Sequence, residues 1–150
     1  MNWDSYFIKM VQLVSEKSKD PSTKCGALIV GPDHEIRSTG FNGFPRGVDE
    51  TIESRWVRPE KYEWVEHAER NAIYNAARVG ISTFGCTMYV NYAVECCDDC
   101  TRAIIQSGII EVVGPDIPFP GKGKGIDYSK TNANIIMMNE AGILIRNVEN

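Results

Sequence analysis

His67-Ala68-Glu69 and Cys97-Asp98-Asp99-Cys100 together supply one imidazole, two thiols and a carboxylate. One imidazole and two thiolates suit a zinc ion. Three protein ligands also leave the fourth tetrahedral position to water, as in a catalytic rather than a structural site. Glu69 stands two residues after the imidazole, where it can reach that open position without ligating the metal. Zinc acidifies the water, and the carboxylate relays its proton. The chemistry this order of residues points to is hydrolytic removal of an amino group from an aromatic ring. Glu69 is the candidate catalytic residue, delivering protons to ring N3 and then to the departing amine.

A lone C-x-x-C is common and a lone H-x-E is close to noise. In this order, each opening a helix, they are far more specific. The usual pattern has proline before the first cysteine, where it stiffens the helix entry; this chain has Cys96 there. Only Cys97 and Cys100 have the two-residue gap, so Cys96 reads as a packing substitute. Cys25 and Cys86 read as inert thiols in apolar, strand-like surroundings. His34, the other histidine, falls in the Gly31-Pro32-Asp33 turn and reads as exposed, which leaves one zinc ion per chain.

The elements that must position these residues follow from periodicity. Trp3, Tyr6, Phe7, Met10, Val11 and Val14 predict an amphipathic helix over 3–18, stopped by Asp20-Pro21. Cys25–Val30 and Glu35–Phe41 predict a β-hairpin, and 42–59 a long polar loop. A helix over 66–78 ends at Gly80, followed by a strand over 87–92, a helix over 98–107 and a strand over 109–113. A loop spans 115–127. Thr131 can cap a last helix ending at Gly142, and 143–146 forms a final strand. The order α-β-β-α-β-α-β-α-β predicts an α/β fold: a five-stranded mixed sheet between layers of helices.

At 150 residues the chain fits one domain. It is 43% hydrophobic and 24% charged, the composition of an ordinary globular protein. A net charge of −4 gives no reason to expect a nucleic-acid partner. No apolar run approaches the roughly 18 residues of a membrane span. Asp4 and Lys9 interrupt the stretch where a signal peptide would be apolar. The odd count of five cysteines argues against a disulfide framework. The expected location is cytoplasmic.

Four stretches carry a family resemblance: Ser18-Lys19-Asp20-Pro21-Ser22-Thr23-Lys24, Gly40-Phe41-Asn42-Gly43-Phe44-Pro45-Arg46-Gly47, His67-Ala68-Glu69-Arg70-Asn71-Ala72-Ile73 and Ile104-Ile105-Gln106-Ser107-Gly108-Ile109. With these the chain resembles the deoxycytidylate (dCMP) deaminases of the cytidine deaminase superfamily. The resemblance implies a three-layer α/β/α fold, conversion of dCMP to dUMP for thymidylate synthesis, and zinc held by His67, Cys97 and Cys100. It also implies a homo-oligomer, often a hexamer, with dCTP and dTTP as effectors and Mg2+ carried by the effector nucleotide.

For the substrate, the resemblance assigns Asn42 to the sugar and base and Ser22 and Lys24 to the phosphate. Ala68, beside the zinc ligand, is also expected among the substrate-binding residues. A phosphate dianion needs fixed cations and donors, and Lys19, Ser22, Thr23, Lys24 and Arg46 supply them within two loops. Tyr128, after the positive Phe119–Gly125 loop, can stack on the pyrimidine or close over the phosphate. Two other readings stay open on the residues alone: a deaminase of another cytosine nucleoside or nucleic-acid base, and a zinc-containing protein that binds nucleotides without turnover.

Overall fold

A computed structural model describes residues 1–117 and 132–149. The first helix, α1 (Trp3–Ser15), buries Phe7 and Val11 one turn apart. Its start is set by Asn2, whose side-chain oxygen accepts a hydrogen bond from the Ser5 N–H at 2.8 Å. The helix stops three residues earlier than its periodicity suggests. Ser18 turns away there, and its hydroxyl donates to the Asn42 carbonyl oxygen at 2.8 Å.

Strands β1 (Gly26–Val30) and β2 (Ile36–Phe41) form the expected antiparallel hairpin. The 42–59 segment departs from a plain loop. It holds a 3-10 turn at Glu53–Trp56 and is followed by a one-turn helix, α2 (Lys61–Trp64). Stacking of Phe44 on Trp56 organises it, with ring centroids 4.3 Å apart, and the Arg55 guanidinium lies 3.9 Å from the centre of the Trp64 ring. These contacts join residues far apart in sequence, which helical or strand periodicity does not register.

Beyond α2 come α3 (Ala68–Val79), β3 (Thr87–Val90), α4 (Asp98–Gln106), β4 (Glu111–Pro115), α5 (Ala133–Glu140) and β5 (Leu144–Val148). Gly80 ends α3 at φ +78°, the left-handed conformation that glycine adopts without a Cβ clash. The final helix starts after Asn132 rather than being seen to start from Thr131, which lies outside the described residues.

The five strands form one mixed sheet in the order β2-β1-β3-β4-β5. β1 is antiparallel to β2 and β3, whereas β4 is parallel to both β3 and β5. Side chains alternate between two cores. One packs Phe7 and Val11 of α1 against Leu28, Val30, Tyr89 and Val113. The other packs Ala68, Ala72, Cys100, Ile104 and Met138 of α3, α4 and α5 against Ala27, Ile29, Met88, Val90 and Val112. The larger of these side chains, such as Phe7, Leu28, Ile29, Met88, Ile104 and Val112, each contribute about 1.5–3 kcal/mol when fully buried. This is the expected three-layer α/β/α arrangement, with α3 and α4 starting side by side on one face.

Candidate active site

His67 is the N-cap of α3 and Cys97 the N-cap of α4. The Cys97 sulfur accepts a hydrogen bond from the Cys100 N–H at 3.4 Å, so a thiol does the work usually done by a Ser or Asp oxygen. Both ligand segments thus sit where unsatisfied N–H groups and the helix dipole favour negative charge. The His67 Nδ1 lies 3.3 Å from Cys97 Sγ and 3.4 Å from Cys100 Sγ. All three ligand atoms fall within 4.8 Å of one another.

A tetrahedral zinc with ligands at ordinary distances would separate nitrogen from sulfur by roughly 3.6 Å. The cluster therefore needs only a slight opening to accept the ion, and its one nitrogen and two sulfurs match zinc's borderline softness. Cys96 is not part of the group. Its thiol is buried and points to the Val94 carbonyl oxygen at 3.5 Å. Its own carbonyl accepts from the Thr101 hydroxyl (3.2 Å) and the Asn134 side-chain amide (2.9 Å). Two buried polar side chains thereby hold the entry to α4, where a proline would otherwise stiffen it.

The close contacts within the cluster set its ionisation. A hydrogen bond from the Cys100 thiol, reinforced by His67, pulls the Cys97 thiol down to about 4. Cys100 is pushed up by the same partner and by burial. The hydrogen bond to Cys97 raises His67 despite its partial burial. Glu69, in the first turn of α3, is raised by desolvation, with His67 and a hydrogen bond to Cys100 acting in the opposite direction. A carboxyl raised in this way moves toward the range where it both takes and gives protons near neutrality.

Two hydrogen bonds join the Asn42 loop to this centre: Gly43 N–H to the Glu66 carbonyl (3.1 Å) and Glu66 N–H to the Gly43 carbonyl (2.8 Å). Asn42 is thus one residue from a strand-like bridge whose other end adjoins His67. Asn42 is buried and engaged within the chain. Its Oδ1 accepts from the Cys25 N–H at 2.8 Å, and its Nδ2 donates to the Thr23 carbonyl (2.9 Å) and Asp20 Oδ2 (3.2 Å). Cys25, just before β1, has its thiol pushed up to about 12 by burial and by the nearby charges of Glu69 and Asp20. It remains a protonated, inert group at the edge of the site.

The other candidates fall into place unevenly. Ala68 is buried beside His67. Ser22 and Lys24 are exposed on the loop that Asp20 organises. Arg46 turns outward instead, its guanidinium donating to Asn75 Oδ1 at 2.7 Å, two turns along α3 from Ala68. Tyr128 and the 119–125 loop lie outside the described residues.

Several positioning groups escape sequence reading. The Arg70 Nε donates to Glu66 Oε1 at 2.6 Å, and its Nη1 is 3.3 Å from Asp99, which ties the two ligand helices together. The four-residue spacing of Glu66 and Arg70 in the sequence is the only local signal for it, although Glu66 itself lies just before α3. Asp20 and Lys61 form a buried ion pair across 41 residues, with no local signal at all.

Comparison with known proteins agrees with this geometry. The family model for the cytidine and deoxycytidylate deaminase zinc-binding region matches residues 1–114. The chain is 34% identical to the deoxycytidylate deaminase of Homo sapiens over 97% of its own length and 79% of that protein's. It is 35% identical to the Mus musculus deoxycytidylate deaminase over the same shares. In three dimensions it resembles the dCMP deaminase of cyanophage S-TIM5, solved in complex with dCMP and dUMP, with a TM-score of 0.73 and 23% identity over 96% of this chain and 95% of that one. At that identity the structural likeness shows the fold. The zinc-dependent deaminases are thus the class, and the chain belongs to the cytidine and deoxycytidylate deaminase family. Among the described residues no helix is long and apolar enough to cross a membrane.

Proposed function

We propose that this protein deaminates dCMP to dUMP, consuming one water and releasing one ammonia. The observation that carries the reading is the His67–Cys97–Cys100 cluster, with Glu69 in the first turn of the helix that His67 caps, in a chain about one-third identical to deoxycytidylate deaminases. His67, Cys97 and Cys100 would hold one zinc ion. Bound there, zinc supplies Lewis-acid activation of water. Glu69 takes a proton from the attacking water and places it on N3 of the cytosine ring; it then takes the second proton from the hydroxyl added at C4 and gives it to the amino nitrogen, so that the C4–N bond breaks as C4=O forms. The N-termini of α3 and α4 offset the thiolate charge.

Ser22 and Lys24 bind the phosphate, and Asn42 reads the sugar and base edge through the acceptor capacity its internal bonds leave on Oδ1. Arg46 joins them only by leaving Asn75, and Tyr128 completes the substrate contacts. The enzyme is a homo-oligomer in the cytoplasm, and its regulation by dCTP and dTTP, with Mg2+ on the effector, follows the same family reading.

The test is zinc quantification together with ammonia release on dCMP, CMP, deoxycytidine and a tRNA anticodon stem. The expected result is about one zinc per chain and preference for dCMP. Preference for unphosphorylated deoxycytidine would overturn the nucleotide assignment and leave the zinc chemistry standing. Zinc without turnover on any of the four would point to a nucleotide binder. Sedimentation, and activity titrations with dCTP and dTTP in Mg2+, test the oligomer and the effectors.

A further inference from the structure

Asp20 is buried beneath the loop that carries Ser22 and Lys24, its side chain 2% exposed, and Lys61 is 6% exposed against it. The Lys61 ammonium reaches Asp20 Oδ2 at 2.8 Å and Oδ1 at 2.9 Å. Oδ1 also accepts from the N–H groups of Ser22 (2.8 Å) and Thr23 (3.2 Å), and Oδ2 from the Asn42 amide (3.2 Å). Three separate segments meet at one carboxylate: the loop after α1, the end of β2, and α2 within the 42–66 segment. A second, exposed ion pair, Lys19 with Glu50, joins the first and last of these nearby.

A buried ion pair adds little net stability over a well-packed apolar pair, because both charges must be desolvated. What this pair does supply is direction. Asp20 fixes the Ser22–Thr23 turn through two backbone N–H groups. Through Nδ2 it also fixes which way the Asn42 amide faces, with Oδ1 toward the Cys25 N–H. Flipping that amide would set a carbonyl oxygen against the Asp20 carboxylate and an N–H₂ against an N–H. Without the Lys61 charge, the same carboxylate would be left buried and uncompensated, and the loop would have to open to hydrate it.

We propose that Asp20 and Lys61 are a positioning pair for substrate binding: they hold the Ser22–Thr23 turn and the Asn42 amide in their binding orientation and leave the proton chemistry at Glu69 untouched. This rests on the assignment of Ser22 and Asn42 to the substrate. It accounts for why a lysine from the 42–66 segment is buried under a loop it is not adjacent to in sequence.

The test uses Lys61→Met, Lys61→Arg and Asp20→Asn in the zinc-loaded protein, with two readouts. Amide hydrogen exchange needs no substrate. In Lys61→Met, the amides of Ser22, Thr23 and Cys25 should exchange faster while those of Leu28 and Val112 in the sheet do not change. In steady-state kinetics, Lys61→Met should raise KM for dCMP by about tenfold or more, since small misplacements of binding groups are costly. Its kcat should stay within about threefold of the parent and its zinc content should not change. Lys61→Arg, which keeps the charge, should recover most of the KM. A lowered melting temperature with exchange and KM both at parent values would reduce the pair to a structural role and overturn the proposal. If the parent does not turn over dCMP, the substrate reading fails, and the exchange readout still decides whether the pair positions the loop. Should Lys61→Met fail to fold, Asp20→Asn against Lys61→Arg decides it by the same exchange and KM comparison.

Discussion

The Cβ that Gly40 lacks would fall 2.3 Å from the backbone nitrogen of Ala72 and 2.5 Å from the carbonyl oxygen of Ala68. Strand β2 and helix α3 therefore meet backbone to backbone, and the Ser38 hydroxyl fastens the contact by donating to the Ala72 carbonyl at 2.7 Å. This close approach sets the height of α3 on the sheet, and with it the place of His67 and Glu69. Gly40→Ala must push α3 outward. The expected cost is about 1–3 kcal/mol of overpacking, read as a lower melting temperature. Because the ligand helix moves with it, zinc should also be lost faster to a chelator. A variant with parent-like melting and zinc retention would show that the contact does not set the site.

Glu69→Gln removes the proton carrier and keeps the shape of the α3 first turn. Ammonia release should fall by about 10²–10⁴-fold or more, the usual weight of a general acid–base. Zinc content and melting temperature should stay at parent values, since Glu69 is not among the clustered ligand atoms. Measuring zinc, melting and turnover on one preparation separates loss of chemistry from loss of the site. Near-parent turnover would remove Glu69 from the mechanism.

Cys100→Ala and Cys96→Ala should behave oppositely although both residues are buried cysteines. Cys100 lies in the His67 cluster, so its loss should empty the site of zinc. It should also remove the ligand's contribution to folding, about 4 kcal/mol where free zinc exceeds Kd a thousandfold. Cys96 turns its thiol to the Val94 carbonyl, and its backbone is held by Thr101 and Asn134. Cys96→Ala should retain one zinc ion and near-parent activity. Loss of zinc from Cys96→Ala would make Cys96 a ligand.

The chemistry was legible in the sequence because its determinants are local. His67 and Glu69 share one helix start, Cys97 and Cys100 another; α4 begins at Asp98 as the pattern placed it, and α3 at Ala68, two residues later than expected, because Glu66 pairs with Gly43 instead. Strand order in the middle of the sheet was not legible, since β1 pairs with both β2 and β3 and periodicity carries no pairing information. Substrate contacts were harder still. Arg46 is a cation in a plausible loop, yet Asn75, 29 residues away, takes its guanidinium. Asp20 reads as a helix stop, and Lys61 carries no local signal at all. The pair they form exists only once the 42–66 segment folds back, held by Phe44 on Trp56 and by Gly43 on Glu66. Local rules find residues that act where they stand and miss those that act across the fold.

The face of the sheet opposite the metal cluster predicts a distinct pH response. Arg146 on β5 donates to both carboxylate oxygens of Asp4, at 2.7 and 3.0 Å, and the Tyr89 hydroxyl donates to one of them at 2.7 Å. The hydrogen bonds from Arg146 outweigh partial burial and hold the Asp4 carboxyl below its ordinary range. The folded state thus binds fewer protons here than the unfolded chain does. Its stabilisation is full above the unfolded value of about 3.9 and fades as pH falls through the lower folded value. Asp4→Asn should cost about 1 kcal/mol or less near neutrality, as expected for a partly exposed pair. The gap to the parent should narrow only as pH falls below about 4, and should go on closing as pH passes through the lower folded value. Urea unfolding of both proteins across that range checks it. A gap that keeps its neutral value at the acid end would mean that the Asp4 charge contributes nothing and that the difference lies in packing.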